Sequence, residues 1–303
     1  MREVSWEEYE AYLTQHRAIM IEETRIPLTG RKQVECIQPD NFELETTTVW
    51  SFPERGSWAT HQGNYRGNWA PQIPRNLILR YTQPGDLVLD PMVGSGTTLV
   101  ECRLLGRNGI GVDVNYQSLI LALDRLNFEP HSLYEELPKP SIRLFHGDAR
   151  LLSLIGDESI DLVATHPPYA GIITYSKGAP IEGDLSQIRS LEGFLQAIEQ
   201  VARECYRVLK PNRHCAILIG DTRRHKHYIP IAYRVMERFL EAGFILREDI
   251  IKVQWNMKST RDRWSRGGVR DFMLIYHEHL FVFRKPDANE DIRKFRESMR
   301  NGQ

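Results

Sequence analysis

The chain has 303 residues, 41% of them hydrophobic and 26% charged, which excludes a miniprotein, a long repeat array and a wholly disordered chain and leaves one large α/β domain or two modest ones. Its 39 basic and 40 acidic residues give a net charge of −1, so contact with nucleic acid has to come from local patches. No apolar run reaches the roughly 18 residues of a membrane span, and the start MREVSWEEYEAYL lacks the apolar core of a secretory signal, so a cytoplasmic protein without membrane contact is expected.

Residues 1–67 read as an accessory segment: a helix over about 5–20, opened by a Ser5/Glu8 capping box and carrying Trp6, Tyr9, Tyr12 and Leu13 on one face, then an irregular stretch rich in Thr, Trp and Gly. Over 68–303 short apolar runs alternate with helical patterns, the signature of parallel strands joined by crossover helices. Strands are expected at 87–92, 109–114, 142–146, 160–165, 215–220, 249–254 and 280–284, with helices at 97–105, 117–126, 191–209 and 229–242. The fold class is therefore α/β, a doubly wound, Rossmann-like, seven-stranded and mostly parallel sheet. Cys36, Cys102, Cys205 and Cys215 form no Cys-x-x-Cys pair and sit among apolar residues, which reads as reduced core thiols with no zinc or other metal.

The run Asp90-Pro-Met-Val-Gly94-Ser-Gly96-Thr-Thr98 takes a buried strand through a glycine turn into a helix, where the backbone can approach a ligand closely and free helix amides face it. It is no P-loop, because no Lys follows its glycines, and with Leu99 in place of a third glycine it is not Gly-x-Gly-x-x-Gly. The next strand ends in Asp113, 23 positions after Asp90, where a carboxylate can accept from both ribose hydroxyls of a nucleoside. A third strand ends in His146-Gly-Asp148-Ala149, whose carboxylate could meet an adenine amino group. The plainer alternative is that these Asp residues only cap helices and turns.

The fourth strand ends in Thr165-His166-Pro167-Pro168-Tyr169. Two prolines cannot continue a central strand, so their carbonyls become rigid free acceptors, and the tyrosine ring behind them can stack. A flat heterocycle bearing an amino group suits both. At residues 64–286 the chain resembles the amino DNA methyltransferases, which move a methyl from S-adenosylmethionine to adenine N6 or cytosine N4 of a flipped base. The carriers are Asp90 to Thr98, similar to the family's Asp-Pro-Phe-x-Gly-Ser-Gly-Thr-Thr, and His166 to Tyr169, similar to its Asp/Asn/Ser-Pro-Pro-Tyr.

By this resemblance Asp90, Pro91, Met92, Gly94, Ser95, Gly96, Thr97 and Thr98 surround the methionine part of S-adenosylmethionine. Asp113, Val114 and Asn115 hold its ribose, Asp148 and Ala149 its adenine, and Trp69, in the 68–80 segment that precedes the cofactor motif, helps close the site. His166, Pro167, Pro168 and Tyr169 form the catalytic motif, with His166 departing from the usual Asp, Asn or Ser. A neutral imidazole accepts a hydrogen bond and imidazolium cannot, so turnover is expected to fall through the histidine range, about 6.5 unperturbed. Thr165 inclines the target toward cytosine N4, with adenine N6 the alternative, then an RNA amino methyltransferase, then an inert nucleic-acid-binding module. The partner implied is double-stranded DNA, read by Lys258, Arg261, Arg263, Trp264 and Arg266 in a basic loop and by Arg223 and Arg224. Residues 170–190 are expected to cover the flipped base as a lid. No separate recognition domain is evident; a monomer or homodimer working beside a cognate restriction enzyme, in a restriction-modification pair, completes the expectation.

Overall fold

A computed structural model of the chain describes residues 1–21, 23–40, 42–129, 139–168, 181–255 and 271–300. In chain order the elements are β1 (Arg2–Val4), α1 (Trp6–Gln15), β2 (Ala18–Ile21), β3 (Thr24–Pro27), β4 (Val49–Ser51), α2 (Gln72–Tyr81), β5 (Leu87–Asp90), α3 (Thr97–Leu104), β6 (Asn108–Asp113), α4 (Tyr116–Leu126), β7 (Ile142–His146), β8 (Ile160–Thr165), α5 (Leu191–Val208), β9 (Leu209–Gly220), β10 (Thr222–Arg224), β11 (His227–Ile229), α6 (Ile231–Glu241), β12 (Ile245–Val253) and β13 (His277–Arg284).

Nine strands hydrogen-bond in one sheet, in the order β1-β7-β6-β5-β8-β9-β13-β12-β4. The neighbours from β7 to β9 run parallel, and β13 is antiparallel to both β9 and β12. Successive side chains point to opposite faces, and both faces are covered. Val88, Leu162, Ala216 and Leu218 pack on one side with Ile73, Leu77, Leu99 and Leu119 of α2, α3 and α4. Leu89, Val163, Cys215 and Ile217 pack on the other with Phe194, Ile198, Val235 and Phe239 of α5 and α6. The chain leaves β5 toward β6 and β7, then returns to β8 on β5's other side. The carboxyl ends of β5 and β8 therefore form the switch point at which such sheets open a crevice.

The strand count corrects the expected seven. The seven anticipated strands are all present, and β1 and β4 extend the sheet at its two edges, β1 antiparallel to β7 and β4 parallel to β12. Each has three residues, too few to show a two-residue alternation. The expected helix over 5–20 stops at Gln15, because Ala18–Ile21 pairs with Thr24–Pro27 as a hairpin; its start holds, with the Ser5 side chain accepting from the Glu8 amide at 3.2 Å.

Two buried carboxylates tie the first 67 residues to the helices behind the crevice. Asp124 on α4 accepts from Tyr9 Oη at 2.8 Å, the Gly30 amide at 2.8 Å and Lys32 Nζ at 2.9 Å. Glu101 on α3 accepts from Trp58 Nε1 at 2.7 Å and Arg75 Nη1 at 2.9 Å, and lies 2.7 Å from His61 Nε2. Cys102, Cys205 and Cys215 are buried, whereas Cys36 is exposed and not a core thiol: its Sγ donates to the Gln38 carbonyl in an irregular surface stretch. Among the described residues no helix is long and apolar enough to cross a membrane.

Candidate active site

Asp90 ends β5 and is buried. Its Oδ1 accepts from Thr165 Oγ1 at 2.9 Å and the Met92 amide at 3.2 Å, and its Oδ2 from Thr98 Oγ1 at 2.5 Å. Thr165 is the last residue of β8, so one carboxylate welds the glycine turn, the α3 start and the fourth strand end together. Burial pushes Asp90 up to about 6 despite those three donors.

The turn itself runs through left-handed backbone, with φ +49° at Gly94 and +85° at Gly96. A Cβ at Gly94 would come within 3.1 Å of the Tyr65 ring, and one at Gly96 within 3.0 Å of Ala122 Cβ, so the left-handed backbone favours glycine at both positions and leaves little room for a side chain. Asp113 links β6 to this turn, its Oδ2 accepting from the Gly94 amide and its Oδ1 from the Asn115 amide, each at 2.8 Å. Burial, the largest influence, also raises Asp113 to about 6, and the nearby Asp184 adds to it. At the end of β7, Asp148 is gripped by Arg150, with Nη2 at 2.6 Å and Nε at 3.0 Å.

At the end of β8 the His166 ring is nearly enclosed and stacks on Trp69, with centroids 6.1 Å apart and planes 24° apart. Its Nε2 lies 3.9 Å from Glu278 Oε1, and Glu278 Oε2 accepts from Lys252 Nζ at 2.8 Å. Burial lowers the His166 pKa; Glu278 opposes that shift and Lys252 adds to it.

One cavity of about 750 Å³ unites these groups. Trp69, Asp90, Pro91, Met92, Gly94, Ser95, Thr97, Asp113, Val114, Asn115, Asp148 and Ala149 line it together with His166, Pro167 and Pro168. Gly96 and Thr98 are not among the lining residues. Gly96 caps α3 against Ala122, and the buried Thr98 spends its hydroxyl on Asp90, so both shape the turn from behind. Tyr169 lies outside the described residues, as do Lys258, Arg261, Arg263, Trp264 and Arg266. Of the other two basic positions, Arg224 is exposed, while Arg223 donates to the Met273 carbonyl at 3.0 Å and covers the Tyr228 and Phe272 rings. The described part of the 170–190 stretch lies over the cofactor-motif side: Gly183 presses so closely on Asp148 Oδ2 that a Cβ there would sit 2.7 Å away.

Sequence reasoning missed Tyr65, Tyr116, Met20 and Glu278. Tyr65 roofs the glycine turn and its hydroxyl lies 3.0 Å from Ser118 Oγ, yet it belongs to a segment with no periodic signal. Trp69 was anticipated; its neighbour Asn68 takes the Thr97 hydroxyl at 2.5 Å.

A family model described as DNA methylase, covering the N6 and N4 types, matches residues 7–123 and 160–302. Among curated proteins the chain is similar to the DNA adenine methyltransferase YhdJ of Escherichia coli K12, 33% identical over 102 residues, which is 34% of this chain and 35% of that protein. It is similar also to the type II methyltransferase M.HpaI of Haemophilus parainfluenzae, 47% identical over 109 residues, 36% of this chain and 33% of that protein. A tRNA (guanine(10)-N2)-dimethyltransferase of Methanocaldococcus jannaschii is 32% identical over 117 residues, 37% of this chain and 31% of that protein. The chain thus spans about a third of the length of these curated relatives. Among solved structures, an S-adenosylmethionine-dependent methyltransferase of Methanosarcina mazei superposes on 69% of this chain and 97% of that one, at 15% identity and a TM-score of 0.46. With the family model covering most of its length, the chain belongs to the N6/N4 DNA methylase family.

Proposed function

We propose that the chain is a site-specific DNA amino methyltransferase that uses S-adenosylmethionine to methylate the exocyclic amine of a flipped base, cytosine N4 in preference to adenine N6. The observation that carries this reading is the single cavity that joins the glycine turn and the Asp113 strand end to the His166-Pro167-Pro168 corner. The cavity lies within the roughly 300–1,000 Å³ of small-molecule sites. The residues present fit the donor. Asp113 uses one lone pair of each oxygen on a backbone amide and keeps another on each for a pair of ribose hydroxyls. Gly94 leaves room where a side chain would strike Tyr65. Asp148 is assigned to adenine; the Arg150 fork leaves that carboxylate less acceptor capacity than Asp113 has. When bound, S-adenosylmethionine supplies an electrophilic methyl on a sulfonium.

The exocyclic amine of a base is a weak nucleophile because its lone pair is delocalised into the ring. A His166 nitrogen and the Pro167 carbonyl accept its two hydrogens, which favours a pyramidal nitrogen with the lone pair freed. The low pKa that burial gives His166 keeps the ring neutral, and so able to accept, at pH 7. Thr165, whose side chain inclines the motif toward cytosine, spends its hydroxyl on Asp90, so the preference for N4 rests on the resemblance of the motif. Duplex DNA is met by Arg224 and by Lys258, Arg261, Arg263, Trp264 and Arg266, in a cytoplasmic enzyme that works beside a restriction partner.

The similarity to a tRNA guanine-N2 methyltransferase makes RNA the second reading. Labelled-methyl transfer to unmethylated genomic DNA and to tRNA, followed by mass spectrometry of the nucleosides, decides among them. N4-methylcytosine is expected, N6-methyladenine would revise the base, label in tRNA alone would replace the substrate, and no label in either would end the enzymatic reading.

A further inference from the structure

Glu278 is the second residue of β13, and it stands in register opposite Gly220 of β9 on one side and Lys252 of β12 on the other. It is 4% exposed. A carboxylate this deeply buried is costly unless it is paired, and Lys252 Nζ at 2.8 Å supplies the pairing through Oε2. The second oxygen, Oε1, points toward His166 Nε2 at 3.9 Å. That separation is too long for a hydrogen bond, so a neutral ring gains little from it. It is well inside the range over which a carboxylate favours an imidazolium. The arrangement is therefore complementary to a charge that His166 acquires, rather than to the one it starts with.

We propose that His166 accepts the proton released when the exocyclic amine is methylated, and that Glu278, paired with Lys252, is the positioning residue that stabilises the imidazolium formed. The idea rests on the amine-methylation reading above. In the step, a bond forms from the base nitrogen to the methyl carbon as the bond from that carbon to sulfur breaks, and sulfur keeps the electron pair. The nitrogen, now positively charged, passes one of its hydrogens to His166, and the ring returns that proton to water once the product leaves. Two charged side chains face His166 from the neighbouring strands among the described residues, Glu278 from β13 and Lys252 from β12, with opposite effects on it.

The test uses the full chain with nitrogen-15-labelled histidine. His166, assigned by loss of its signal in His166→Gln, is titrated by NMR without donor or DNA in the wild type, Glu278→Gln and Glu278→Asp. The same three proteins are followed in single-turnover methyl transfer to unmethylated genomic DNA across pH. Glu278→Gln keeps the shape and still accepts from Lys252, so the fold is retained. The expected result is a His166 midpoint about one pH unit lower, an acid limb of the rate that moves with it, and a plateau about tenfold lower. Glu278→Asp should keep its midpoint near the wild-type one. A midpoint and limb unmoved by Glu278→Gln, whatever the plateau does, would leave Glu278 as a packing residue and overturn the proposal while methylation stands. A wild type that methylates no nucleic acid would instead overturn the reading beneath it.

Discussion

At the Asp90 and Asp113 end of the crevice, the donors to each carboxylate among the described residues are hydroxyls and backbone amides, all of them uncharged. At the His166 end a carboxylate lies between a lysine and an imidazole. Fixed neutral dipoles hold a shape, and burial then lifts both acids to about 6. Opposed charges across strands hold a potential, ready for a proton to arrive. On the function proposed above, the first end would recognise a ligand whose form does not change and the second would carry the chemistry.

That division can be broken by experiment. His166→Ala should lower methyl transfer by about 10²- to 10⁴-fold while leaving S-adenosylmethionine affinity, measured by calorimetry, within a few-fold of the parent; a parallel loss of both would erase the distinction between the two ends. Asp90→Asn probes the other end through stability. Because the folded pKa of about 6 lies above the unfolded value of about 3.9, the ionised form is penalised in the native state, and that penalty grows as pH rises from about 4 to 6 and then stays. The Asn variant, which can still bond both threonines, should therefore be about 2 to 3 kcal/mol more stable than the parent in urea unfolding at pH 8 and level with it near pH 4. A less stable variant at pH 8 would mean that the charge itself holds the turn. Gly94→Val, forced into φ +49° and against Tyr65, should weaken donor binding by about tenfold without moving the pH profile of the reaction. The smallest effect concerns the wild type alone. With burial holding His166 below the ordinary range, the rate should stay flat from pH 8 to below 6.5 and decline only in more acid solution; a decline centred at 6.5 or above would mean that the ring is not shielded.

The sequence made the two motif segments of the crevice far more legible than the charged side chains that flank them. Asp90, the two glycines and Thr98 lie within nine consecutive positions, and a short segment whose conformation is dictated locally leaves a local signature. The same holds for the His166-Pro167-Pro168 corner, where two missing amide donors announce the end of a strand. Glu278 left no such trace. It stands 112 positions from His166, and only the pairing of β13 with β9 and β12 brings the two together. Chain order also hid that Thr98 and Thr165 face one carboxylate, since the connection needs β5 and β8 to be neighbours. The edge strands β1 and β4 escaped notice for a different reason: three residues of strand form only because a partner edge is waiting.

Those two short strands carry a consequence for any attempt to trim the chain to its motif-bearing part. Cutting away residues 1–51 would uncover the outer rims of β7 and β12 at once, leaving ladders of unmatched amides and carbonyls on opposite sides of the sheet, each a template for another molecule to add a strand. It would also strip Tyr9, Gly30 and Lys32 from the Asp124 carboxylate behind the crevice. The shortened protein should therefore precipitate or polymerise end to end, and solubility, rather than turnover, would be the first property lost.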